Sequence, residues 1–174
     1  AAAFGAQLAN IGTLIPGQIS KVQEYSRSIN TLSVELAKSQ GDLAGATYQV
    51  VSAFGDQANT METVEVAARA ATAGLASTSD AVNLLSAVSK GYNDTSTETI
   101  QKISDLAFTT VRLGQTTFPE LAQSMGQVVP IAESLGIQME ELFGVAATLT
   151  GVTGNTSEVM IQQRAAMVAL LCPL

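Results

Sequence analysis

Five carboxylates in this chain follow a hydroxyl or amide side chain by three residues: Asn59 with Glu62, Ser77 with Asp80, Thr95 with Glu98, Thr117 with Glu120, and Asn155 with Glu158. Paired carboxylates are the working groups of glycosidases and related hydrolases, so these acids are where chemistry would be sought first. The spacing also has a purely structural meaning. A Ser, Thr or Asn at a helix N-cap accepts from an orphan amide of the first turn. An acid three residues on accepts from the cap's own amide and lies favourably in the helix dipole. Caps therefore account for Glu62, Asp80, Glu98, Glu120 and Glu158 without catalysis. Gln138 with Glu141 has the same spacing but not the cap chemistry, and Glu140 and Glu141, adjacent on one helix, point apart and form no dyad.

The remaining candidates are weaker. Histidine is absent and Cys172 is the sole cysteine, which excludes an internal disulfide, a His- or Cys-rich metal site and imidazole catalysis. No neighbouring base is in sequence to activate the Cys172 thiol. Met61, Met125, Met139, Met160 and Met167 could line an adaptable groove or a membrane face, but four of them fall on apolar stripes and read as core. The stretch Gly-Asp-Leu-Ala-Gly at 41–45 has the small-xxx-small spacing that permits close helix approach, a weak signal in a chain with 14 glycines. The net charge of −7 and the scattered bases Lys21, Arg27, Lys38, Arg69, Lys90, Lys102, Arg112 and Arg164 argue against a phosphate-binding face. No catalytic, cofactor-binding or metal-binding residue is assigned, and the chain does not read as an enzyme.

The elements that carry these acids are helices. Leu43, Ala46, Val50 and Phe54 recur at helical spacing, as do Ala81, Leu84, Leu85 and Val88; Ile100, Ile103, Ala107 and Val111; and Met139, Leu142, Phe143 and Ala146. Strand-like alternation is almost missing. Helix starts at 59, 77, 95, 117, 138 and 155 are each preceded by a glycine (Gly55, Gly74, Gly91, Gly114, Gly136, Gly154), expected to end the previous helix in the left-handed region. The fold class is all-α: a multi-helix bundle or short helical array of about seven to nine short antiparallel helices joined by tight links. An array would place two helices in roughly 36 to 43 residues.

Residues 1–40 form an N-terminal helical segment in which Val22, Tyr25, Ile29, Leu32 and Leu36 make a heptad seam, on a helix expected from Gln18 to Gln40. That helix either continues a rod or packs on the bundle, and packing requires less. Residues 41–174 form the core, and the whole reads as one compact domain cut from a longer protein, since the chain lacks an initiating Met. No apolar run reaches the roughly 18 to 20 residues that cross a bilayer. Low aromatic content, 5% with no Trp, makes a core of Ala, Val, Leu, Ile and Met that favours close helix contact over large pockets.

The stretch Gly114–Gly136 looks at first like a functional loop. Thr117 reads as a cap, Phe118 and Pro119 as the first turn, and Glu120 as the reciprocal acceptor, so the segment is punctuation. Pro130 is expected to break or kink the helix near Gln127 to Val129, with Leu121, Met125, Val128 and Val129 on one stripe and Ile131 and Leu135 on another.

From about Ser39 to Leu171 the sequence resembles the N-terminal portion of tail tape measure proteins of long-tailed bacteriophages and prophages. The residues that carry this are FTTVRLGQTTFPELAQSMGQVVPIAESLGIQMEELFGVAATLTGVTG, supported by AARAATAGLASTSDAVNLLSAVSKGY, while the stretch from Ala1 to around Asn30 matches less well. The resemblance implies a structural, non-enzymatic assembly module, located in the lumen of the virion tail tube and in the host cytoplasm during assembly. It implies a role in setting tail length and leaving with the DNA at ejection. The implied partners are other copies of itself, tail tube proteins and tail assembly chaperones, with no cofactor and no specific nucleic-acid binding by this part. The alternatives are a membrane-active segment aiding DNA passage through the host inner membrane, drawn from the Ala- and Gly-rich helices and a mean hydropathy of +0.27, or a generic helical interaction domain. The interspersed acids argue against the membrane reading, and membrane contact is expected only elsewhere in the full chain.

Overall fold

The computed structural model describes residues 2–171, and among these it holds nine helices and no strand. They are α1 (Ala2–Leu14), α2 (Ile19–Glu35), α3 (Gln40–Phe54), α4 (Thr60–Ala73), α5 (Thr78–Gly91), α6 (Thr97–Leu113), α7 (Phe118–Ser134), α8 (Met139–Thr153) and α9 (Thr156–Leu171).

Packing follows one rule. Each helix touches its chain neighbour and the helix two places away, so α1, α3, α5, α7 and α9 form one layer and α2, α4, α6 and α8 the other. The odd helices begin at Ala2, Gln40, Thr78, Phe118 and Thr156, in nearly even steps along the chain. This is a two-layer array of helical hairpins, the quasi-one-dimensional plan of repeat proteins, rather than a closed bundle. The repeat is invisible as sequence identity because each unit only has to present small and apolar residues at the right phase.

The core is contiguous along the array and is built from those phases. Leu43, Ala46 and Val50, then Ala81, Leu84, Leu85 and Val88, then Ile100, Ile103 and Ala107, then Leu142, Phe143 and Ala146 are all buried, with Phe54 and Val111 half-buried against them. Tyr25, Ile29 and Leu32 of the heptad seam are buried against α3 and its neighbours, so α2 packs on the array instead of standing off as a rod. It ends at Glu35, short of the Gln40 that its apolar pattern indicated, because Ala37 takes a left-handed conformation (φ 50°) and Ser39 opens the next helix.

Glycine serves two purposes here. Gly55, Gly136 and Gly154 have φ of 79°, 73° and 65°, as expected of helix-ending glycines. Gly74, Gly91 and Gly114 do not; the left-handed positions near them are Leu75 (φ 51°) and Asn93 (φ 57°), and Gly114 is extended. What these three supply is room for close helix contact, within a layer at Gly91 and Gly114 and across layers at Gly74. A Cβ on Gly91 would run into the Val129 side chain. One on Gly114 would meet Thr150 Oγ1 and the carbonyl oxygens of Ala147 and Thr110, and one on Gly74 would lie 2.9 Å from the Phe118 ring.

Pro130 does not divide its segment. The chain is helical from Phe118 to Ser134, and Leu121, Met125, Val128, Val129 and Ala132 form one continuous buried stripe through the proline. Pro130 itself is exposed and lies within the last turn and a half of α7. The cost of its missing amide is thus confined to one hydrogen bond near a helix end, and burial of the stripe against α5 and α9 outweighs it.

Candidate functional site

The acids singled out by spacing are distributed along the array's two edges and are never gathered. Asp80 and Glu120 complete reciprocal caps: Ser77 Oγ accepts from the Asp80 amide at 3.0 Å, and Thr117 N–H donates to Glu120 Oε2 at 2.8 Å. Asn155 Oδ1 accepts from the Glu158 amide at 3.1 Å, and Glu141 accepts from the Gln138 amide at 3.1 Å. Glu140 turns the other way and pairs with Lys102, whose ammonium holds its carboxyl below the usual range. The adjacent acids are no dyad. Among the described residues no three His, Cys, Asp or Glu side chains converge on a point that could hold a metal ion.

Two cap assignments need correction. Asn59 precedes α4 but its backbone (φ −93°, ψ 11°) is not extended, and its side-chain oxygen makes no bond to the first-turn amides. Its side-chain amide instead donates across to Thr95 O at 3.3 Å and Thr97 Oγ1 at 3.2 Å, joining α4 to α6. At the start of α6 the cap is Ser96 rather than Thr95, accepting from the Thr99 amide at 3.3 Å. Its reciprocal acid lies before it: Asp94 accepts from the Ser96 amide at 2.9 Å and from the Thr99 hydroxyl at 2.6 Å. Those two donors, Thr99 foremost, hold Asp94 below the usual carboxylate range. Ser39 with Asp42 is a further cap, its Oγ accepting from the Asp42 amide at 3.0 Å. It has the same three-residue spacing as the others and was legible in the sequence.

The acids have a second task that spacing within one helix cannot show. Asp42, third residue of α3, accepts at 2.6 Å from the hydroxyl of Thr78, first residue of α5. Glu62, third residue of α4, accepts at 2.9 Å from Thr97, first residue of α6. Glu120, third residue of α7, accepts at 3.3 Å from Thr156, first residue of α9, whose hydroxyl oxygen lies 2.7 Å from the Thr116 hydroxyl and accepts from it. The same bond thus recurs three times, from a helix start to the start two helices on. Thr78 and Thr156 are buried, and each acceptor is a carboxyl group, the stronger class of hydrogen-bond acceptor. They fix how far one repeat slides on the next. The sequence signal for them is Thr immediately after the cap in four helices (Thr60, Thr78, Thr97, Thr156).

Shallow clefts open between neighbouring helices. One of about 500 Å³ lies between α7 and the start of α9, edged by Gln123, Ser124, Gln127 and Asn155; its one ionisable group, Glu120, is engaged in the cap and the Thr156 bond. Met125, Met139, Met160 and Met167 are buried and Met61 is half-buried in the core, as their phases indicated. Gly41 and Gly45 face α1, with Gln7 Nε2 donating to Gly41 O at 3.2 Å, yet neither has a neighbour closer than ordinary contact. Cys172 lies outside the described residues. No helix among those described is long and apolar enough to cross a membrane.

The structure is an extended two-layer array of capped helices in which Asp42, Glu62 and Glu120 also bond across to the next repeat. Residues 22–171 match the family model of the phage-related minor tail protein. The chain belongs to that family. Its match begins at Val22 and so takes in α2, further upstream than the resemblance read from the sequence. No curated protein and no solved structure matches the chain. A minor tail protein is a component of the phage tail, and the family points to a structural, non-enzymatic role there.

Proposed function

We propose that this chain is an assembly module of a tail tape measure protein, acting inside the tail tube to help set tail length and leaving with the DNA at ejection. The observation that carries the reading is the open two-layer array itself. Its length grows by one hairpin with each odd-helix start, and those starts are nearly evenly spaced, so chain length converts directly into distance. Membership of the minor tail family supplies the setting. In this role the chain meets other copies of itself, tube subunits and assembly chaperones through helix faces, in the host cytoplasm during assembly and in the tube lumen afterwards.

The test is tail length. An in-frame duplication of residues 78–117, one hairpin with its links, should give phage whose tails are longer by electron microscopy. Tails that assemble in normal number at unchanged length would refute length-setting and leave a structural tail role of another kind.

A further inference from the structure

The two layers differ in where their charges lie. Between the first and last turns of α1, α3, α5 and α7 there is no charged residue: Asp42, Asp80 and Glu120 stand at helix starts, and Lys90 and Glu133 at helix ends. The even layer is charged along its length, with Glu65 and Arg69 paired on α4 at 2.8 Å and Lys102 and Asp105 within α6. What the outer face of the odd layer carries instead is side-chain amide. Gln7, Asn10 and Gln49 line a cleft of about 300 Å³ between α1 and α3, and Gln49 and Asn83 line one of about 230 Å³ between α3 and α5. Gln123 continues the row on α7: Ala87 and Gly126 face each other across α5 and α7, and Asn83 and Gln123, both exposed, lie about one turn before them. The row crosses four successive odd helices on the flank of the array. One member is incomplete. Gln49 Nε2 donates to Ser79 Oγ at 2.7 Å, but Gln49 Oε1 is buried and has no hydrogen-bond partner. An acceptor in that state calls for a donor from outside.

We propose that this row binds an extended, uncharged polypeptide segment, laid across the odd helices in the polyproline II conformation, with the amides of successive helices gripping its backbone. Charge, chemical group and spacing select that occupant. A face without charge offers nothing for nucleic acid or a basic helix to pair with. A polyproline II backbone makes no internal hydrogen bonds, so its N–H and C=O groups are free for Gln and Asn amides, which donate and accept at once; one N–H satisfies Gln49 Oε1. Packed helices lie about 8–10 Å apart, and a polyproline II segment repeats the same face every three residues, about 9 Å. A β-strand covers that distance in three residues too, but then presents its opposite face, so it cannot offer the same group to successive helices. Tyr48, 38% exposed and shared by the two clefts, supplies a ring against which a proline lies. The proposal rests on the odd layer alone and stands or falls independently of length-setting.

Fluorescence anisotropy with the whole chain tests it, the probe being a labelled peptide of four Pro-Ala-Ser triplets. The peptide should bind saturably, with an affinity unchanged between low and high salt. Asn83→Ala and Gln123→Ala, both at exposed positions, should keep the circular dichroism of the wild type and each weaken binding by about two- to tenfold. Gln49→Met keeps the side chain's length and should weaken binding similarly. Gln101→Ala, which removes an exposed amide from α6 in the other layer, should leave binding unchanged. A peptide methylated at its alanine and serine nitrogens has lost its donors and should not bind. Equal binding of the methylated peptide, or undiminished binding by the Asn83→Ala, Gln123→Ala double variant, would overturn the proposal. So would the absence of saturable peptide binding, and maltohexaose bound in its stead would assign the row to sugar hydroxyls.

Discussion

The bond from Thr78 to Asp42 can be isolated by a double-mutant cycle. Thr78→Val keeps the shape of a buried side chain (1% exposed) and removes the hydroxyl that donates at 2.6 Å to Asp42 Oδ2. A hydrogen bond to a charged group contributes about 1.5–3 kcal/mol. The Asp42 side chain is 37% exposed and keeps Lys38 at 3.4 Å, so water and the ammonium compensate part of the loss. The expected cost is therefore at the low end, about 1–2 kcal/mol. Asp42→Ala should cost more, because it leaves the Thr78 hydroxyl buried without a partner and removes an acid from the first turn of α3. The coupling between the two should be about 1–2 kcal/mol. Thr72→Val is the control: its hydroxyl is bonded only to Ala68 O in its own helix, and it should change stability by no more than about 0.5 kcal/mol. Urea unfolding followed by circular dichroism measures all four species, and thermal melts should shift by about 2–4 °C for each kcal/mol in a chain of this size. A coupling below about 0.3 kcal/mol would refute the claim that the acids link successive repeats.

Gly114→Ala should destabilise by about 1–3 kcal/mol because its Cβ meets the fixed carbonyl oxygens of Ala147 and Thr110, whereas Gly45→Ala, with nothing within 4 Å, should stabilise α3 by about 0.5–1 kcal/mol. Opposite shifts in thermal midpoint are the expected result; equal shifts would remove the close-approach account of Gly114. Pro130→Ala should stabilise by about 1–3 kcal/mol, since α7 is already continuous and gains a donor to Gly126 O; a lower midpoint would show the ring to be required for packing. Tyr25 and Tyr92 are pushed up to about 12, in both cases by burial first, aided at Tyr25 by its hydrogen bond with Asp56 and at Tyr92 by the charge of Glu140. Their folded values exceed the unfolded one of about 10, so their contribution is complete below pH 10 and is lost as pH rises toward 12. Titration by ultraviolet absorbance should show them ionising together with loss of helix; ionisation near pH 10 with the fold intact would contradict their burial.

What the sequence made legible, and what it did not, divides along the range of the interactions. Caps are local: Ser77 with Asp80 and Thr117 with Glu120 are each contained in one short stretch and were read from it. The misplacement at α6 is local too. Asp94, one residue before Thr95 and two before Ser96, accepts both the Ser96 amide and the Thr99 hydroxyl, and this shifts the cap by one. Core phases such as Ala81, Leu84, Leu85 and Val88 were legible because burial imposes the helical period on one segment at a time. The choice of array over bundle was not, since it depends on α5 meeting α7 and not α8, and Gly91 beside Val129 looks in sequence like any helix-ending glycine. Pro130 shows the same limit from the other side. Its local rule was sound, but the stripe from Leu121 to Ala132 packs against α5 and α9, and that burial decides the helix's continuity. The acids combine both ranges. As caps they are explained within their own helices, and that explanation conceals their bonds to Thr78, Thr97 and Thr156, each a whole repeat further along the chain. Reading these carboxylates as caps accounts for them incompletely: their second partner is the next unit of the array, and through it they hold successive units in register.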